Sequence, residues 1–269
     1  MGSGVCYVYC LDALSGGFIW KYQVGGLIQS IPTIADGKVY VSSDDCYVYC
    51  LDALSGDLIR KFQVAGLVQC SPVVADGRVY VSSNDSHVYC LDASLGQLVW
   101  RYRADGIVNT SPVVANGRVY VGYNYIFDCL NASSGRSIWK YQPYGWIQTS
   151  SVVAYGKAYL ASKNYINCYD AGSGARIWVS NCDRVVRSSP IIAEGRIYTT
   201  AEDESVYCFD AFSGTFLWEY PTGGSILSSP AVADGRVFIC FNEGSEINPT
   251  SGSICCIDPS LIDMVLHQA

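Results

Sequence analysis

Short apolar stretches alternate with turn residues along the chain, and the same pattern returns about every 40 residues. An Asp-Ala-x-Ser-Gly segment, or a close variant of it, recurs at spacings of 39 or 40 residues. The copies begin at Asp12, Asp52, Asp92, Asn131, Asp170 and Asp210. A second segment, of the form Ala-Asp-Gly-Arg-Val-Tyr-Val, runs in phase with the first. A repeat with a period of about 20 to 50 residues is typical of solenoids, propellers and other arrays.

Each repeat predicts four short strands. The first strand is apolar and ends at an Asp-Gly or Asn-Gly pair, which favours a hairpin because a tight turn needs positive φ. The second strand carries Val-Tyr-Val and the third carries Val-Tyr-Cys-Leu. The Asp-Ala-x-Ser-Gly turn leads into the fourth strand, which carries a Trp in five repeats and Arg60 in one. Four strands in about 40 residues are typical of a propeller blade, and no segment has helical periodicity.

The strand count leaves the number of blades open. Strands one, two and four occur six times and strand three occurs seven times, with a degenerate seventh turn at Asp258. We therefore predict an all-β protein, a β-propeller of four-stranded antiparallel blades, with six blades and with seven as the alternative. One domain would span residues 1–269, and its ring would close by pairing of N-terminal with C-terminal strands. The sequence does not show which of the seven copies of strand three is surplus in a six-bladed ring.

The turn segment, the strand-four Trp and the run Ser-Pro-Val-Val-Ala-Asp-Gly-Arg-Val-Tyr-Val together resemble the PQQ-like repeat over nearly the whole chain. That family includes quinoprotein dehydrogenases, an outer-membrane-assembly scaffold lipoprotein and a propeller of some acyl-activating enzymes. The segment from Tyr47 to Asp52 looks most like the last of these. The resemblance implies a fold and no single activity. The quinone and calcium ligands of the dehydrogenases map to no position here, so we expect neither PQQ nor a metal.

Composition and charge limit the classes of partner that we expect for this protein. Half of the residues are hydrophobic and 15% are charged, which excludes a disordered chain. The formal charge of −7 disfavours nucleic acid and membrane partners. No transmembrane run or signal segment is expected. The 13 cysteines are an odd number, and most stand at equivalent places in different blades, where they cannot pair. We therefore expect free thiols and a cytoplasmic protein.

Residues that depart from the repeat consensus are the candidates for function, because consensus residues hold the blades together. In a propeller, the loops after strands two and four share one face and the first strand lines the axis. Off-pattern aromatic and charged residues fall in these loops, and polar residues begin strand one. We predict as catalytic groups Asp183, Glu202, Tyr125 and Arg187. The predicted binding residues are Tyr123, Tyr144, Trp146, Gln148, Lys163, Phe241, Glu243, Gln29, Gln69 and Asn109.

Together these residues predict a small-molecule site, a funnel with aromatic walls above a polar ring in which Arg187 is the charged member. The polar ring would hold either ordered water or a ligand. The site would bind its ligand, or would catalyse acid–base chemistry without a cofactor, such as isomerisation, cyclisation or condensation. The alternative is a non-catalytic scaffold for protein partners, because exposed aromatic residues are also typical of interfaces. The longer last repeat supplies either a lid or a surface loop.

Overall fold

The computed structural model describes residues 6–226, 228–245 and 248–257 of the 269-residue chain. Every named element in these ranges is a β-strand, so the predicted all-β class is confirmed. The chain divides into two compact units, unit 1 with residues 1–140 and unit 2 with residues 141–269. The described ranges contain no helix that is long and apolar enough to cross a membrane.

In unit 1, β1 and β2 form a two-stranded sheet, and β3–β6, β7–β10 and β11–β14 form four-stranded antiparallel sheets, with β14 ending one residue beyond the boundary. The strands are β1 Tyr7–Leu11, β2 Phe18–Gln23, β3 Thr33–Ala35, β4 Lys38–Ser43, β5 Tyr47–Asp52, β6 Leu58–Gln63, β7 Val73–Ala75, β8 Arg78–Ser83, β9 His87–Asp92, β10 Leu98–Arg103, β11 Val113–Ala115, β12 Arg118–Tyr123, β13 Ile126–Asn131 and β14 Ser137–Tyr141.

In unit 2, β15–β18 and β19–β22 form four-stranded sheets in chain order, and in the last sheet β25 pairs with β23, β24 and β26. The strands are β15 Val152–Ala154, β16 Lys157–Ser162, β17 Tyr165–Asp170, β18 Arg176–Asn181, β19 Ile191–Ala193, β20 Arg196–Thr200, β21 Ser205–Asp210, β22 Phe216–Pro221, β23 Ser225–Ile226, β24 Ala231–Ala233, β25 Arg236–Ser245 and β26 Asn248–Ile257.

The described residues thus form six four-stranded sheets and one two-stranded sheet. Both terminal copies of strand three have a partner, because β1 pairs with β2 and β26 pairs with β25. The pairing of the chain ends in one shared blade, and the single domain over residues 1–269, stay predictions.

The Asp-Gly pairs form the predicted tight turns between strands one and two. Asp36 has a φ of 49° and Gly37 a φ of 70°. Positive φ at both central residues defines the type I′ turn, which matches the twist of the two strands. Tyr155 and Glu194 adopt the same left-handed conformation before a glycine, at φ 53° and 51°. The turn therefore persists where the sequence has lost the Asp or Asn.

The aspartate of the Asp-Ala-x-Ser-Gly segment closes the turn before strand four. Asp12 Oδ1 accepts a hydrogen bond of 2.7 Å from the backbone N–H of Ser15. That bond is the main cause of the lowered pKa of Asp12, and equivalent backbone bonds lower the pKa of Asp52 and Asp210. Asn131 accepts the same bonds with an uncharged amide, at 2.9 and 3.0 Å. The turn therefore needs a short side-chain acceptor and not a charge.

Three strand-four Trp residues, Trp20, Trp100 and Trp178, each pack one sheet against the next. Trp20 lies against Gly56, where an added Cβ would come within 2.5 Å of the indole ring. The indole N–H of Trp20 donates to the carbonyl oxygen of Ala53 at 3.1 Å. Trp100 makes both contacts with the following sheet, and Trp178 makes the glycine contact in unit 2. The Gly of the turn is therefore required twice, for its positive φ and for the approach of the ring.

Arg60 occupies the Trp position between the second and third sheets of unit 1. Its Cδ approaches Gly96, where an added Cβ would lie 2.7 Å away. The thinner side chain leaves a cavity of about 20 Å³, lined in part by Tyr40, Val79 and Leu91. A cavity of that size has room for about one water molecule.

The cysteines whose side chains are described are free thiols, as expected. The buried members at the repeat position are Cys50, Cys90, Cys129, Cys168 and Cys208. Burial raises the pKa of the Cys90 thiol to about 11. Cys90 is therefore a neutral, small apolar core residue near pH 7, and it is a poor nucleophile.

Candidate functional site

Backbone hydrogen bonds join successive loops of unit 2. They connect Lys163 to Trp146, Val186 to Lys163, and Glu202 to Val185, at 2.8–2.9 Å. These loops follow strands two and four, which is where the sequence predicts the site. The structure thus brings together a part of the predicted set within unit 2. The exposed side chains along this row are Trp146, Gln148, Lys163, Arg187 and Glu202.

Arg187 and Glu202 form an ion pair in this row. Their side chains are 55% and 41% exposed, so the pair contributes little to stability. Each group is free to exchange its partner for a ligand at small cost. The counter-ion of Arg187 is therefore Glu202, which the sequence also predicts as a catalytic group.

The Tyr144 ring lies against β17 and β18 of the following sheet. Its ring centroid is 5.7 Å from that of Tyr165 in β17, and the Arg176 guanidinium of β18 lies 5.1 Å from it. Phe241 is partly buried and packs against the core cluster that contains Trp218. The Phe241 ring therefore has a packing role, whereas Tyr144 is 55% exposed and its predicted binding role stays a prediction.

Glu243 lies in β25, at a position where only the backbone is described. Its predicted role as a binding residue therefore lies outside the described side chains.

The polar residues predicted to begin strand one instead precede β3, β7 and β11 by four residues. Two of those in unit 1 have partners in their own sheets. Gln29 Nε2 donates to Asp44 Oδ2 at 2.7 Å, and Asn84 Nδ2 donates to Gln69 Oε1 at 3.3 Å. Asn109 is exposed. Loop residues of the same sheet therefore satisfy part of the hydrogen-bonding capacity that the sequence analysis assigned to water or ligand.

Tyr123 is completely buried, which removes its ring from any exposed wall. Its hydroxyl donates to Asp128 at 3.0 Å, and burial followed by the charge of Asp128 raises the pKa of Tyr123. Tyr123 therefore stays protonated and acts as a fixed donor in the core. Tyr125, two residues later, is about half exposed.

Sequence reasoning missed Asp128, a carboxylate with no exposed surface. Besides Tyr123, the hydroxyls of Tyr102 and Ser137 donate to it at 2.7 Å, and Lys140 Nζ lies 3.7 Å away. Alignment of the repeats could have identified it, because Asp128 stands in strand three where Tyr49 stands in an earlier repeat. The carboxylate is fully hydrogen-bonded and closed to solvent, which assigns it to packing.

A groove of about 490 Å³ opens in unit 2 among side chains of β18, β21 and β22 and of the loops that follow β18 and β20. Ser180 stands at the position of Tyr22, Phe62 and Tyr102, and its hydroxyl donates to the carbonyl oxygen of Gly214. The groove is lined by Asn181, Cys182, Asp183, Arg184, Asp203, Tyr207, Phe216 and Glu219. Of the predicted catalytic groups, Asp183 lines it.

Hydrogen bonds and one ion pair order the polar side of the groove. The Tyr207 hydroxyl donates to Asp203 Oδ2 at 2.5 Å, and Arg184 Nε lies 3.9 Å from the same oxygen. Asn181 Nδ2 donates to Asp183 Oδ1 at 2.8 Å. In the part of the chain that the structure describes, no three His, Cys, Asp or Glu side chains are placed to hold a metal ion.

The chain matches the family described as outer membrane protein assembly factor BamB over residues 1–65, 47–164 and 162–254. Among solved structures, it is similar to BamB from Moraxella catarrhalis, at 18% identity and a TM-score of 0.73, over 95% of this chain and 92% of that chain. It is also similar to the computationally designed Ika8 protein, at 13% identity and a TM-score of 0.82, over 95% and 79% of the two chains. At these identities the two structures show the fold alone. A comparison with curated proteins gives no significant match.

The likeness to the propeller of acyl-activating enzymes stays a prediction, whereas the broader resemblance is confirmed. The four-stranded sheets are blades of a β-propeller, and the chain belongs to the PQQ-like repeat family described as outer membrane protein assembly factor BamB.

Proposed function

We propose that this protein is a non-catalytic scaffold that holds other proteins, and that it binds them along the edge strands of unit 1. The description of its family as an assembly factor supports this role. The observation that carries the proposal is a set of exposed apolar side chains that recurs in three successive sheets of unit 1. The set consists of Leu14, Phe18, Ile19, Leu54, Leu58, Ile59, Leu95, Leu98 and Val99.

The turn leucines contribute almost nothing to the fold. Leu14 is 99% exposed, Leu54 is 87% exposed and Leu95 is 65% exposed. The turn is held by its aspartate, so its apolar side chains bury little surface within the chain. Recurrent exposed apolar groups of this kind are typical of surfaces that bind protein.

The strands that carry the other apolar residues are sheet edges. β6 and β10 each pair with one neighbour, so one row of backbone N–H and C=O groups faces outward on each. A partner strand can add to such an edge by main-chain hydrogen bonds, with side chains giving specificity. The apolar residues at the start of each edge strand would meet that partner.

Charge adds to the specificity of these edges. The residue after the Trp position is basic in each strand four of unit 1, although the whole chain carries 24 acidic and 17 basic residues. These residues are Lys21, Lys61, Arg101 and Lys140. A partner segment that combines apolar and acidic side chains would complement this surface.

The test is capture of partners by immobilised full-length protein from an extract of the source cells, followed by purification of the captured protein and direct titration. Unit 2 offers a control, because Phe212 and Ile177 stand at the repeat positions of Leu54 and Ile59 and are also exposed, at 51% and 46% against 87% and 39%. We expect Leu54→Ser/Ile59→Ser to weaken binding at least tenfold and Phe212→Ser/Ile177→Ser to leave it unchanged. Equal binding by both double variants would contradict the assignment to unit 1.

A second candidate function is the small-molecule site predicted from the sequence, placed in the row of unit 2 loops. The exchangeable Arg187–Glu202 pair, in the same row of loops as the exposed Trp146, favours it, since a carboxylate or phosphate could replace Glu202 at the guanidinium. Such a site would bind a ligand, or would use Glu202 and Asp183 for acid–base chemistry without a cofactor.

The second candidate is tested by incubating a metabolite extract with a trace of protein and following each component by mass spectrometry. Turnover beyond the moles of protein, lost in Trp146→Ala and Arg187→Ala but kept in Leu54→Ser/Ile59→Ser, would support catalysis in unit 2. An extract that stays unchanged at several pH values removes the enzymatic form of this candidate.

A further inference from the structure

We propose that two exposed sheet faces of this chain bind each other between copies, so that the last sheet of unit 2 in one copy packs against β3 of unit 1 in a second copy. The face on the last sheet, which we call the terminal face, consists of Phe238, Cys240 and Cys256. The face on unit 1, which we call the β3 face, consists of Ile31 and Ile34. The inference does not rest on the scaffold proposal, because these residues lie outside the apolar set that carries it.

The terminal face occupies repeat positions that are buried in earlier sheets. Phe238 is 36% exposed, whereas the five tyrosines at its repeat position are at most 4% exposed. Cys256 is exposed, whereas Cys208 and the other cysteines at its position in four-stranded sheets are buried. Cys256 lies opposite Phe238 in the pairing of β25 with β26, and Cys240 lies two residues further along β25, so the three side chains share one side of the sheet. The opposite side packs against the preceding sheet.

The β3 face occupies the positions that receive such a ring from the preceding sheet. In four later sheets the residue equivalent to Ile34 is partly buried and joins a core cluster with the strand-two Tyr of the preceding sheet, as Val74 does with Tyr40. Ile34 is 72% exposed, because the described part of the sheet before it, β1 and β2, contains only strands three and four. The β3 face is therefore the counterpart of the terminal face.

Both faces carry an apolar side chain where the repeat has a hydroxyl. The Tyr40 hydroxyl donates to the carbonyl oxygen of Ala93 in the next sheet at 3.3 Å, whereas Phe238 has no hydroxyl to donate. Ser71 Oγ accepts from the Ile31 backbone N–H at 2.9 Å, whereas the side chain of Ile31 itself, 74% exposed, has no acceptor. Contact between two such faces buries apolar surface and leaves no side-chain hydroxyl without a partner.

A second copy of this chain is the occupant that carries the matching face. Each copy exposes both faces, so the contact that joins successive sheets within a unit can continue from one copy to the next. Such a contact is heterologous, because two different surfaces meet, and it joins the copies head to tail. Loss of either face alone therefore prevents self-association of the variant but leaves it able to bind a copy that has kept that face.

Light scattering after gel filtration of the full-length chain at several concentrations tests the proposal. We expect the mass of the wild type to rise with concentration. Phe238→Asp and Ile34→Asp should each keep the mass of one chain, because an unpaired charge opposes burial. An equimolar mixture of these two variants should form a dimer and nothing larger, since each variant supplies the face that the other has lost. Ile177→Asp places the same charge on an exposed position of β18 outside both faces and should associate as the wild type does.

The thiols of the terminal face report the contact without any substitution, and they decide if an aspartate variant does not fold. We expect alkylation of Cys240 and Cys256 by iodoacetamide, followed by mass spectrometry of the peptides, to slow at least threefold between dilute and concentrated wild type. Cys46, a partly exposed thiol of unit 1 outside both faces, should keep its rate.

The proposal is overturned if the wild type keeps the mass of one chain at every concentration, or if the two folded aspartate variants do not bind each other. It is also overturned if Cys240 and Cys256 are protected equally at every dilution, which would mean that the chain covers this face itself. Leu54→Ser/Ile59→Ser should self-associate as the wild type does, so this proposal and the scaffold proposal can fail separately.

Discussion

Two equivalent contacts in unit 1 differ in how well they are filled. Trp20 covers Gly56 with its ring, whereas Arg60 covers Gly96 with an aliphatic stem and leaves a cavity of about 20 Å³. In unit 2, Trp178 covers Gly214 as Trp20 covers Gly56. A long, thin substitute for the Trp therefore keeps the contact between two sheets but fills it incompletely.

Removal of a consensus Trp should have the largest effect. Trp100 is buried and donates to the carbonyl oxygen of Ala132 at 2.9 Å, so Trp100→Ala should cost about 3–5 kcal/mol of unfolding free energy. Arg60→Ala removes a partly exposed side chain beside a cavity and should cost about 1 kcal/mol. Urea denaturation measures both, and a change within about 0.5 kcal/mol for Trp100→Ala would show that the repeat is misread.

The glycine that the Trp covers should come next. Gly56 and Gly37 have φ of 78° and 70°, so alanine strains the backbone at either site. A Cβ on Gly37 meets nothing within 4 Å, whereas one on Gly56 meets the ring of Trp20. Gly56→Ala should therefore lose about 1–3 kcal/mol more than Gly37→Ala. Equal losses in denaturation would mean that the ring contact carries no weight.

Arg60→Trp restores the consensus ring at the contact between the second and third sheets. The indole ring would fill the cavity and cover Gly96, and cavity filling commonly adds about 0.5–2 kcal/mol. A higher Tm than wild type is the expected result of calorimetry. A lower Tm would mean that the second and third sheets have adjusted their spacing to the arginine.

The smallest effect concerns the charge of the turns. Hydrogen bonds, first of all from the Ser55 backbone, lower the pKa of Asp52. This carboxylate therefore stabilises the fold above its unfolded pKa of about 4, and the contribution is lost as pH falls through the lower folded pKa. Asp52→Asn copies Asn131 and should flatten the decline of Tm below about pH 4. An identical acid decline in variant and wild type would exclude Asp52 as a contributor.

The strands and turns could be predicted because the same residue pattern recurs in every repeat. Asp36 and Gly37 mark a turn by residue type alone, and the turn at Tyr155 was placed by its phase in the repeat. Repetition also identified Trp20 and Trp100 as packing residues. A local signal seen six times outweighs the uncertainty of any one copy.

The candidate site could be predicted only in part, because loop position does not determine burial. Tyr123 precedes a loop residue, yet its hydroxyl is bound to Asp128 inside the core. The Gln29 amide donates to Asp44, a partner that the phase of the repeat does not reveal. Side-chain pairing of this kind is a property of packing, and a strand pattern does not contain it.

Direct titration of the captured partner with the wild type and the two double variants tests most directly the claim that the edge strands of unit 1 bind protein. We predict that Leu54→Ser/Ile59→Ser weakens binding at least tenfold and that Phe212→Ser/Ile177→Ser binds as the wild type does. Equal affinities of the two double variants would contradict this claim.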